Sequence, residues 1–360
     1  MIDDAVTYSS LDRLVHRVAF MAPFVQLTAA DLEKTLWRPS YADVRTDRPI
    51  FVTSLPRAGT TLILEALNQF PSLAAQTYRD MPFVMAPLFW SRLSGPFRQR
   101  QELAERAHGD GVAVGFDSPE AFEEVIWRTF WPDKYSESGI ERWTVADDQS
   151  DAHAFLIEHM KKVIALRRAD RPQASRYLSK NNGNIARLGL LGAMFPAAKV
   201  VLPVRRPLDH ARSLLRQHRR FLEMHRRTPF VRRYMADIGH YEFGALHRPI
   251  TFSRLAELTE GKSRLTVDYW LAYWIAAFED LDAGQTDVRL VSYEGLCANP
   301  IASLTALCEW ADLDTEGTLT RVAAMFETRP SKAESDAAAD SRLVERAEQL
   351  HERLIAPADR

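Results

Sequence analysis

The residues best suited to chemistry form one short turn, residues 54–61 (SLPRAGTT). Arg57 supplies a permanent positive charge on a planar set of N–H donors, and Gly59 lets the backbone approach a ligand closely. Thr60 and Thr61 add hydroxyl donors at the start of a predicted helix, where free backbone N–H groups and the helix dipole favour an anion. The turn therefore predicts an anion-binding loop. The alternative is a helix start with threonine caps and an exposed arginine.

This turn differs from the Walker A loop of proteins that hydrolyse ATP or GTP. That loop has the pattern G-x-x-x-x-G-K-[ST], with lysine immediately after its second glycine. Here Thr60 follows Gly59, and the cation Arg57 precedes the glycine by two positions. Hydrolysis of ATP or GTP therefore ranks below group transfer from another nucleotide donor.

A second basic element follows a predicted strand, Lys199–Val204. Arg205 stands at the end of that strand, and Pro207 suits the first turn of the next helix. Ser213 lies about two helical turns further on, so Arg205 and Ser213 can reach the same phosphate group. The alternative is an ordinary strand–helix junction with solvated arginines.

The segments that position these elements alternate between short apolar runs and longer helical stretches. Strands are predicted over residues 49–54, 176–179, 199–204 and 288–293. Helices are predicted over residues 11–37, 60–70, 152–169, 207–227, 267–281, 300–311 and 343–354. Alternating strands and helices predict an α/β fold, a parallel sheet flanked by helices on both faces. Ligands bind such sheets at the carboxyl ends of the strands.

Length and composition narrow the class of protein. The 360 residues are 46% hydrophobic and 26% charged, a balance typical of globular proteins. The net charge of −2 indicates no overall attraction to nucleic acid or membranes. Cys297 and Cys308 cannot build a disulfide framework and lack the spacing of a metal site. The sequence shows no secretory signal and no apolar run long enough to span a bilayer, so we expect a cytoplasmic protein.

One sheet-centred domain with additions at both ends is predicted. Residues 1–47 form an N-terminal helical extension, and residues 48–328 form the α/β domain. Residues 329–360 form a linker and a C-terminal helix packed on the same domain. The linker assignment rests on residues 329–341 (RPSKAESDAAADS), which are small, polar and poor in core-forming side chains.

The two basic elements together resemble those of the PAPS-dependent sulfotransferase family, in particular its bacterial branch; PAPS is 3′-phosphoadenosine 5′-phosphosulfate. The resemblance covers roughly residues 48–312 and implies a P-loop-like fold. The turn resembles the family's 5′-phosphosulfate loop, so Arg57 would contact the 5′-phosphate and the bridging oxygen, and residues 58–61 (Ala58, Gly59, Thr60 and Thr61) would hold the 5′-phosphate. Arg205 and Ser213 would bind the 3′-phosphate, and the neighbouring Arg206 would contribute to that binding.

A third segment, residues 291–296 (VSYEGL) followed by Pro300, resembles the "YEDL…P" segment of many sulfotransferases. By that resemblance Tyr293 lies near the adenosine, although a core aromatic is the alternative. Gly295 replaces the usual aspartate, which does not affect the proposed chemistry. The distal Arg/Lys-x-Gly loop that some members use as a second 3′-phosphate clamp is not found; residues 329–332 are a weak substitute.

The catalytic base of the family is His or Glu soon after the first helix of the domain. In this region, residues 76–82 (QTYRDMP), Asp80 is the only carboxylate. Burial in a closing site raises the pKa of a carboxylate and allows it to act as a base. Alternatively, Asp80 pairs with Arg79 or caps a helix that begins at Pro82.

Other residues compete for catalytic roles. Glu123, Glu124 and His108 are the rival bases, although adjacent glutamates on a mixed helix usually form a solvated face. Lys180 follows a predicted strand end and resembles the basic region that approaches the donor sulfate in related enzymes. The alternative is a surface lysine.

The resemblance implies a sulfotransferase that moves a sulfuryl group from PAPS to an acceptor hydroxyl or amine, with PAP as product and no metal. A kinase-like phosphotransferase and an inactive nucleotide-binding homologue are the alternatives. The acceptor is expected to be a small molecule, glycan or lipid rather than nucleic acid, and a homodimer is compatible with the sequence. Residues 81–150 and 228–262 are predicted to form the acceptor pocket. The apolar side chains assigned to it are Phe83, Met85, Phe89, Trp90, Trp127 and Trp131.

Overall fold

The computed structural model describes residues 10–94, 104–105, 113–114, 119, 122–326 and 339–356. Its strands are β1 (Ile50–Val52), β2 (Leu73–Ala74), β3 (Ala104–Glu105), β4 (Ala113–Val114), β5 (Arg176–Lys180), β6 (Lys199–Val204) and β7 (Asp287–Ser292). Its helices are α1 (Ser10–Ala19), α2 (Pro23–Trp37), α3 (Thr60–Leu67), α4 (Pro87–Ser94), α5 (Glu124–Phe130), α6 (Ser150–Arg167), α7 (Leu188–Met194), α8 (Pro207–Arg227), α9 (Pro229–Asp237), α10 (Leu255–Thr259), α11 (Val267–Glu279), α12 (Tyr293–Ala298), α13 (Pro300–Trp310), α14 (Leu319–Ala323) and α15 (Ser341–Ile355). His108 and residues 329–332 lie outside the described residues.

Five of the strands form one parallel sheet in the order β2-β5-β1-β6-β7. A separate antiparallel pair is formed by β3 and β4. Because all five strands of the main sheet run in the same direction, their carboxyl ends lie along one edge, where parallel sheets bind ligands. The loops after β1, β5, β6 and β7 therefore emerge side by side. The predicted fold class is confirmed.

The core explains why the predicted strands are continuous apolar runs. Successive side chains of a strand point to opposite faces of the sheet, and here each face has its own apolar core. Phe51 of β1 and Val200 of β6 belong to one core, whereas Ile50, Val52 and Val201 belong to the other. All five side chains are buried, as expected of a parallel sheet covered by helices on both faces.

The structure refines several predicted boundaries. The predicted helix over residues 11–37 is two helices, since α1 ends at Ala19 and α2 begins at Pro23; proline lacks a backbone N–H donor and cannot continue a helix. The predicted strand over residues 49–54 is shorter because the chain turns after Val52. β2 was not predicted because two residues are too few to show a period.

Three further observations concern the described residues alone. In that part of the chain no helix is long and apolar enough to cross a membrane. No group of three or more His, Cys, Asp and Glu side chains in it is arranged to hold a metal ion. Cys308 is buried and Cys297 half-buried, and both are free thiols. The division into an extension, a central domain and a C-terminal helix stays a prediction.

Candidate active site

The predicted anion-binding loop joins β1 to α3 at the carboxyl edge of the sheet. Arg57 and Gly59 both have positive φ angles, 74° and 100°, and no side chain caps the start of α3. An uncapped helix start directs backbone N–H groups toward an anionic ligand. Ala58 and Thr60 are buried in the loop, and Thr61 is half-buried on the first turn of the helix. The local geometry is therefore that of an anion site.

The two basic elements, far apart in sequence, meet at this edge. Nε of Arg57 donates to Oγ of Ser213 over 3.4 Å, and Nη1 of Arg205 donates to the backbone carbonyl of Arg57 over 3.2 Å. Ser213 lies on α8, which follows β6, the strand paired with β1. The structure thus brings Arg57, Arg205 and Ser213 into one basic cluster.

Tyr293 completes this cluster. It is the first residue of α12, directly after β7, and the Arg205 guanidinium lies 5.2 Å from the centre of its ring. The ring also lies against Gly59, where a β-carbon would be 2.5 Å from Cδ2 of the tyrosine. The glycine is therefore required for close packing as well as for its positive φ angle. The predicted contact of Tyr293 with adenosine stays a prediction.

One residue that supports the loop had no signal in the sequence. His210 on α8 is fully buried, and its Nε2 lies 2.8 Å from the carbonyl oxygen of Pro56. Burial, together with the charges of Arg205 and Arg57, lowers the pKa of His210 to about 3. The ring is therefore neutral at physiological pH, and because a carbonyl can only accept, Nε2 is its N–H donor. His210 therefore supports the loop through this hydrogen bond without adding a positive charge.

The loop after β5 joins the anion site to the rest of the edge. Lys180, the last residue of β5, is buried and pairs in register with Val52 of β1. Two residues later, Oδ1 of Asn182 accepts a hydrogen bond from Oγ1 of Thr60 over 3.2 Å, and Nδ2 of Asn182 donates to Oε1 of Glu242 over 3.2 Å. The sequence analysis assigned no role to Asn182 or Glu242.

The carboxylate of Asp80 is already engaged in structural contacts. The residue is buried; its Oδ2 accepts the backbone N–H of Thr77 over 2.8 Å and forms an ion pair with Arg167. The capping alternative was wrong in its details, because the next helix begins at Pro87 rather than Pro82, and Asp80 caps its own 3-10 turn. A proton-transfer role for Asp80 stays a prediction.

Glu123 and Glu124 do not form a solvated face, since both are buried. Oε1 of Glu123 accepts a hydrogen bond from the Trp127 indole over 2.9 Å. Glu124 forms an ion pair with Arg187 and accepts a hydrogen bond from Nδ2 of Asn181 over 2.7 Å. The expectation of exposed glutamates was wrong because Glu124 is bound by Asn181 and Arg187, which come from a distant part of the chain.

Arg187 fixes this ion pair in the interior. Its guanidinium lies between two indole rings, 4.2 Å from the centre of Trp127 and 4.5 Å from that of Trp143. Burial acts to lower the pKa of Arg187, but Glu124, Tyr135 and Glu123 together outweigh it, and the pKa is raised. Arg187 therefore stays charged, and the contacts of Glu124 with Arg187 and Asn181 give this carboxylate a structural role in the wall of the site.

A cavity adjoins the anion loop. It is lined by Leu55 and Pro56 of that loop, by residues 181–183 after β5 and by residues 239–242 after α9. Both predicted ranges contribute, through Glu124 and Ile140 and through residues 239–242, Arg248 and Ile250. The aromatic side chains on the wall are Tyr241, Trp270 and Tyr273. The six apolar side chains assigned to the pocket do not line it; Met85, Trp127 and Trp131 are in the core, and Phe83, Phe89 and Trp90 are at most partly exposed.

Comparison with known proteins decides the family. The model of the sulfotransferase family matches residues 49–251, more than half of the chain. The chain belongs to the sulfotransferase family. The matched range includes the anion loop, Asp80, Lys180, Arg205, Ser213 and Glu242.

Two solved sulfotransferase structures are similar to this chain. A sulfotransferase from Mycobacterium tuberculosis is 16% identical, with a TM-score of 0.51, covering 96% of this chain and 87% of that one. A sulfotransferase from Mycobacterium avium is 13% identical, with a TM-score of 0.48, covering 99% of this chain and 86% of that one. No curated protein matches the sequence significantly. The similarity to the Mycobacterium tuberculosis structure indicates that the P-loop-like fold of the sulfotransferases is shared at low sequence identity.

Proposed function

We propose that this sulfotransferase transfers the sulfuryl group of PAPS to a hydroxyl or amine of a small acceptor. The observation that carries the proposal is the meeting of Arg57 with Arg205 and Ser213 at the edge of the sheet. One anion-binding loop would suit many phosphorylated ligands. Two basic elements in contact suit a nucleotide that carries phosphate groups at two positions, as PAPS does.

Each residue has a role in this proposal. The backbone and hydroxyl groups of residues 58–61 hold the 5′-phosphate at the start of α3. Arg57 stabilises the negative charge that develops on the leaving phosphate oxygen, a preorganised electrostatic contribution. Arg205 and Ser213 bind the 3′-phosphate, and the ring of Tyr293 supports the adenosine side. Lys180 approaches the sulfuryl group from the end of β5.

The cavity beside Pro56 receives the acceptor. Its wall combines apolar side chains such as Ile140 and Ile250 with the aromatic rings of Trp270 and Tyr273. These surfaces suit an acceptor with an apolar or aromatic portion next to its hydroxyl group. Among the polar residues of the wall, Asn182 and Glu242 are hydrogen-bonded to each other, and Asn182 also contacts Thr60 at the start of α3.

Thermal unfolding with nucleotides tests the donor site. Ligand at about a hundredfold its dissociation constant stabilises a protein by roughly 2.7 kcal/mol. We expect PAP to raise Tm far more than AMP or ATP at equal concentration, because only PAP engages both basic elements. Ser213→Ala should remove most of the advantage of PAP over AMP, whereas Ser175→Ala, an exposed serine before β5, should not. Equal shifts with PAP and AMP in the wild type would contradict the 3′-phosphate role of Arg205 and Ser213.

Turnover tests the reaction. PAP release from PAPS should be measured with a panel of phenols, alcohols, sugars and lipids, with and without EDTA. Acceptor-dependent PAP release that is insensitive to EDTA is the expected result. Transfer of phosphate from ATP in the presence of Mg²⁺ would support the kinase alternative. Binding of PAP without any turnover would support an inactive homologue.

A further inference from the structure

We propose that Glu242 removes the proton from the acceptor, and that Asn182 is a positioning residue that connects Glu242 to the donor loop. The inference deepens the proposed sulfuryl transfer and rests on it. It assigns the catalytic base to a residue that follows α9 and lines the cavity, rather than to Asp80, which is not among the lining residues.

A chain of hydrogen bonds connects Glu242 to the donor loop through Asn182. Oγ1 of Thr60, on the first turn of α3, donates to Oδ1 of Asn182 over 3.2 Å. Nδ2 of the same amide donates to Oε1 of Glu242 over 3.2 Å. Since an amide has one acceptor end and one donor end, Asn182 can bridge a hydroxyl and an ionised carboxylate in this orientation only. Glu242 is thereby tied to the loop proposed to hold the 5′-phosphate.

The candidate carboxylates differ in how far their oxygens are already bound by other residues. Asp80 is bound by Thr77 and Arg167, and Glu124 is bound by Arg187 and its other partners. Glu242 is half-exposed and lines the cavity. Its Oε1 accepts the bond from Asn182, and its Oε2 accepts none from any residue that the structure describes. One oxygen therefore orients the carboxylate, and the other is left to accept a proton in the cavity that Glu242 lines.

The backbone at Glu242 is held in place by a hydrogen bond from His247. Nδ1 of His247 lies 2.7 Å from the Glu242 carbonyl oxygen, and its Nε2 lies 3.1 Å from the Tyr269 hydroxyl. Burial lowers the pKa of His247 to about 3, so the ring is neutral. Because the carbonyl only accepts, Nδ1 carries the proton and Nε2 accepts from Tyr269. A base must be held within hydrogen-bond reach of the proton it removes, and this arrangement holds Glu242 in place.

The proposed step is a direct transfer of the sulfuryl group from PAPS to the acceptor oxygen. The acceptor oxygen forms a bond to sulfur while the bond between sulfur and the bridging phosphate oxygen breaks. The electron pair of the broken bond leaves on PAP, next to Arg57. The acceptor proton passes to Oε2 of Glu242 and from there to solvent. No other reactant is needed.

Glutamine at position 242 provides the first test. Glu242→Gln keeps the shape of the side chain, and its amide oxygen can still accept the bond from Asn182, but it cannot take a proton. With PAPS and 2-naphthol we expect kcat to fall by about 10²–10⁴-fold, the usual share of general base catalysis. PAP affinity should change by less than about twofold, since Glu242 contacts no proposed phosphate ligand directly. With 4-nitrophenol at a pH well above the pKa of this phenol, where it is largely ionised, the loss should be much smaller. Glu316→Gln, an exposed glutamate, is the matched control and should leave all three values unchanged.

The pH profile provides the test for Asn182. A hydrogen bond to the charged form of a carboxylate lowers its pKa, so Asn182→Ala should move the acidic limb of kcat/KM to higher pH. The ionisable groups that share the cavity wall with Glu242 are Glu124, His240, Tyr241, Arg248 and Tyr273. A structural role for Asn182 alone would lower the rate at every pH without moving that limb. In Glu242→Gln the limb should disappear, and this pair of results identifies the titrating group as Glu242.

The outcomes separate this inference from the proposed function. If the wild type binds no PAP and releases none from PAPS with water or any phenol, sulfuryl transfer is rejected, and the role of Glu242 with it. If the wild type converts PAPS and Glu242→Gln retains more than half of its rate with 2-naphthol, the assignment of Glu242 alone is rejected. Equal losses for 2-naphthol and 4-nitrophenol would also reject it, because proton removal would not be the affected step.

Discussion

The ring of Tyr293 lies directly against Gly59, so that a β-carbon on residue 59 would be 2.5 Å from Cδ2 of the tyrosine. Gly59 also has a φ angle of 100°, which L-residues with a side chain rarely adopt. Gly59 lies in the loop after β1, Tyr293 begins α12 directly after β7, and the two residues are 234 positions apart in sequence. Their contact closes the anion loop against the proposed adenosine side of the site.

Gly59→Ala should therefore weaken nucleotide binding as well as stability. We expect PAP affinity to fall at least tenfold, because either the loop or Tyr293 must move to make room for the methyl group. Gly261→Ala is a matched control, since Gly261 also has a positive φ angle, 68°, but has no atom within 4 Å of the added β-carbon. It should lose stability through backbone strain alone and retain PAP affinity. Titration calorimetry of both variants measures the difference, and equal PAP affinities would show that the contact with Tyr293 is unimportant.

Arg57→Ala should reduce kcat more than it reduces PAP affinity. If Arg57 neutralises charge on the leaving oxygen, its loss removes one preorganised donor, which costs about a hundredfold or more in kcat. The control is Arg353→Ala, an exposed arginine on α15, which should have no effect. Steady-state kinetics with PAPS together with PAP titration separates the two quantities. A variant with normal kcat would show that Arg57 is a binding residue only.

Asp80→Asn should destabilise the protein rather than slow the chemistry. Asparagine can still accept the Thr77 N–H bond, but it leaves the largely buried guanidinium of Arg167 without its charge partner. Loss of one partner of a buried ion pair typically costs about 3 kcal/mol or more. Asp43→Asn breaks an exposed pair with Arg168 and should cost less than about 1 kcal/mol. Urea unfolding gives both values. Unchanged stability with a large loss of turnover would instead make Asp80 the base.

His159→Phe should make the protein less sensitive to acid. Burial lowers the pKa of His159 from 6.5 in the unfolded chain to about 3 in the folded protein, with a further contribution from Lys162. Between these values only the unfolded chain takes up the proton, so folding free energy is lost as the pH falls. The loss from this group is about 2 kcal/mol between pH 7 and pH 5, and phenylalanine at this position removes it.

Urea unfolding at the two pH values measures the effect of His159→Phe. The variant should lose about 2 kcal/mol less than the wild type between pH 7 and pH 5. His153→Phe, at a half-exposed position of the same helix, controls for the general effect of the substitution. An unchanged pH dependence in His159→Phe would mean that His159 takes up a proton in the folded protein as readily as in the unfolded chain.

The sequence alone determined the elements with local causes. β6 and α8 were predicted with their observed bounds, because an apolar run, a basic residue and Pro207 follow one another without interruption. The anion loop was recognisable because its glycine, arginine and threonines lie within a few residues of a strand end. Signals of this kind depend on neighbours in the chain, so no knowledge of the tertiary structure is needed to identify them.

The tertiary structure decided which carboxylates line the cavity and which are bound by buried cations. Asp80 was the candidate nearest the first helix, but Arg167, 87 positions away, binds its carboxylate in the interior. Glu242 was not a candidate, because its partner Asn182 lies 60 positions away and meets it only after β5 and α9 are in place. Whether a carboxylate is bound by a buried cation or left with an open oxygen depends on crossovers between distant segments. Those contacts leave no periodic or local trace in the sequence.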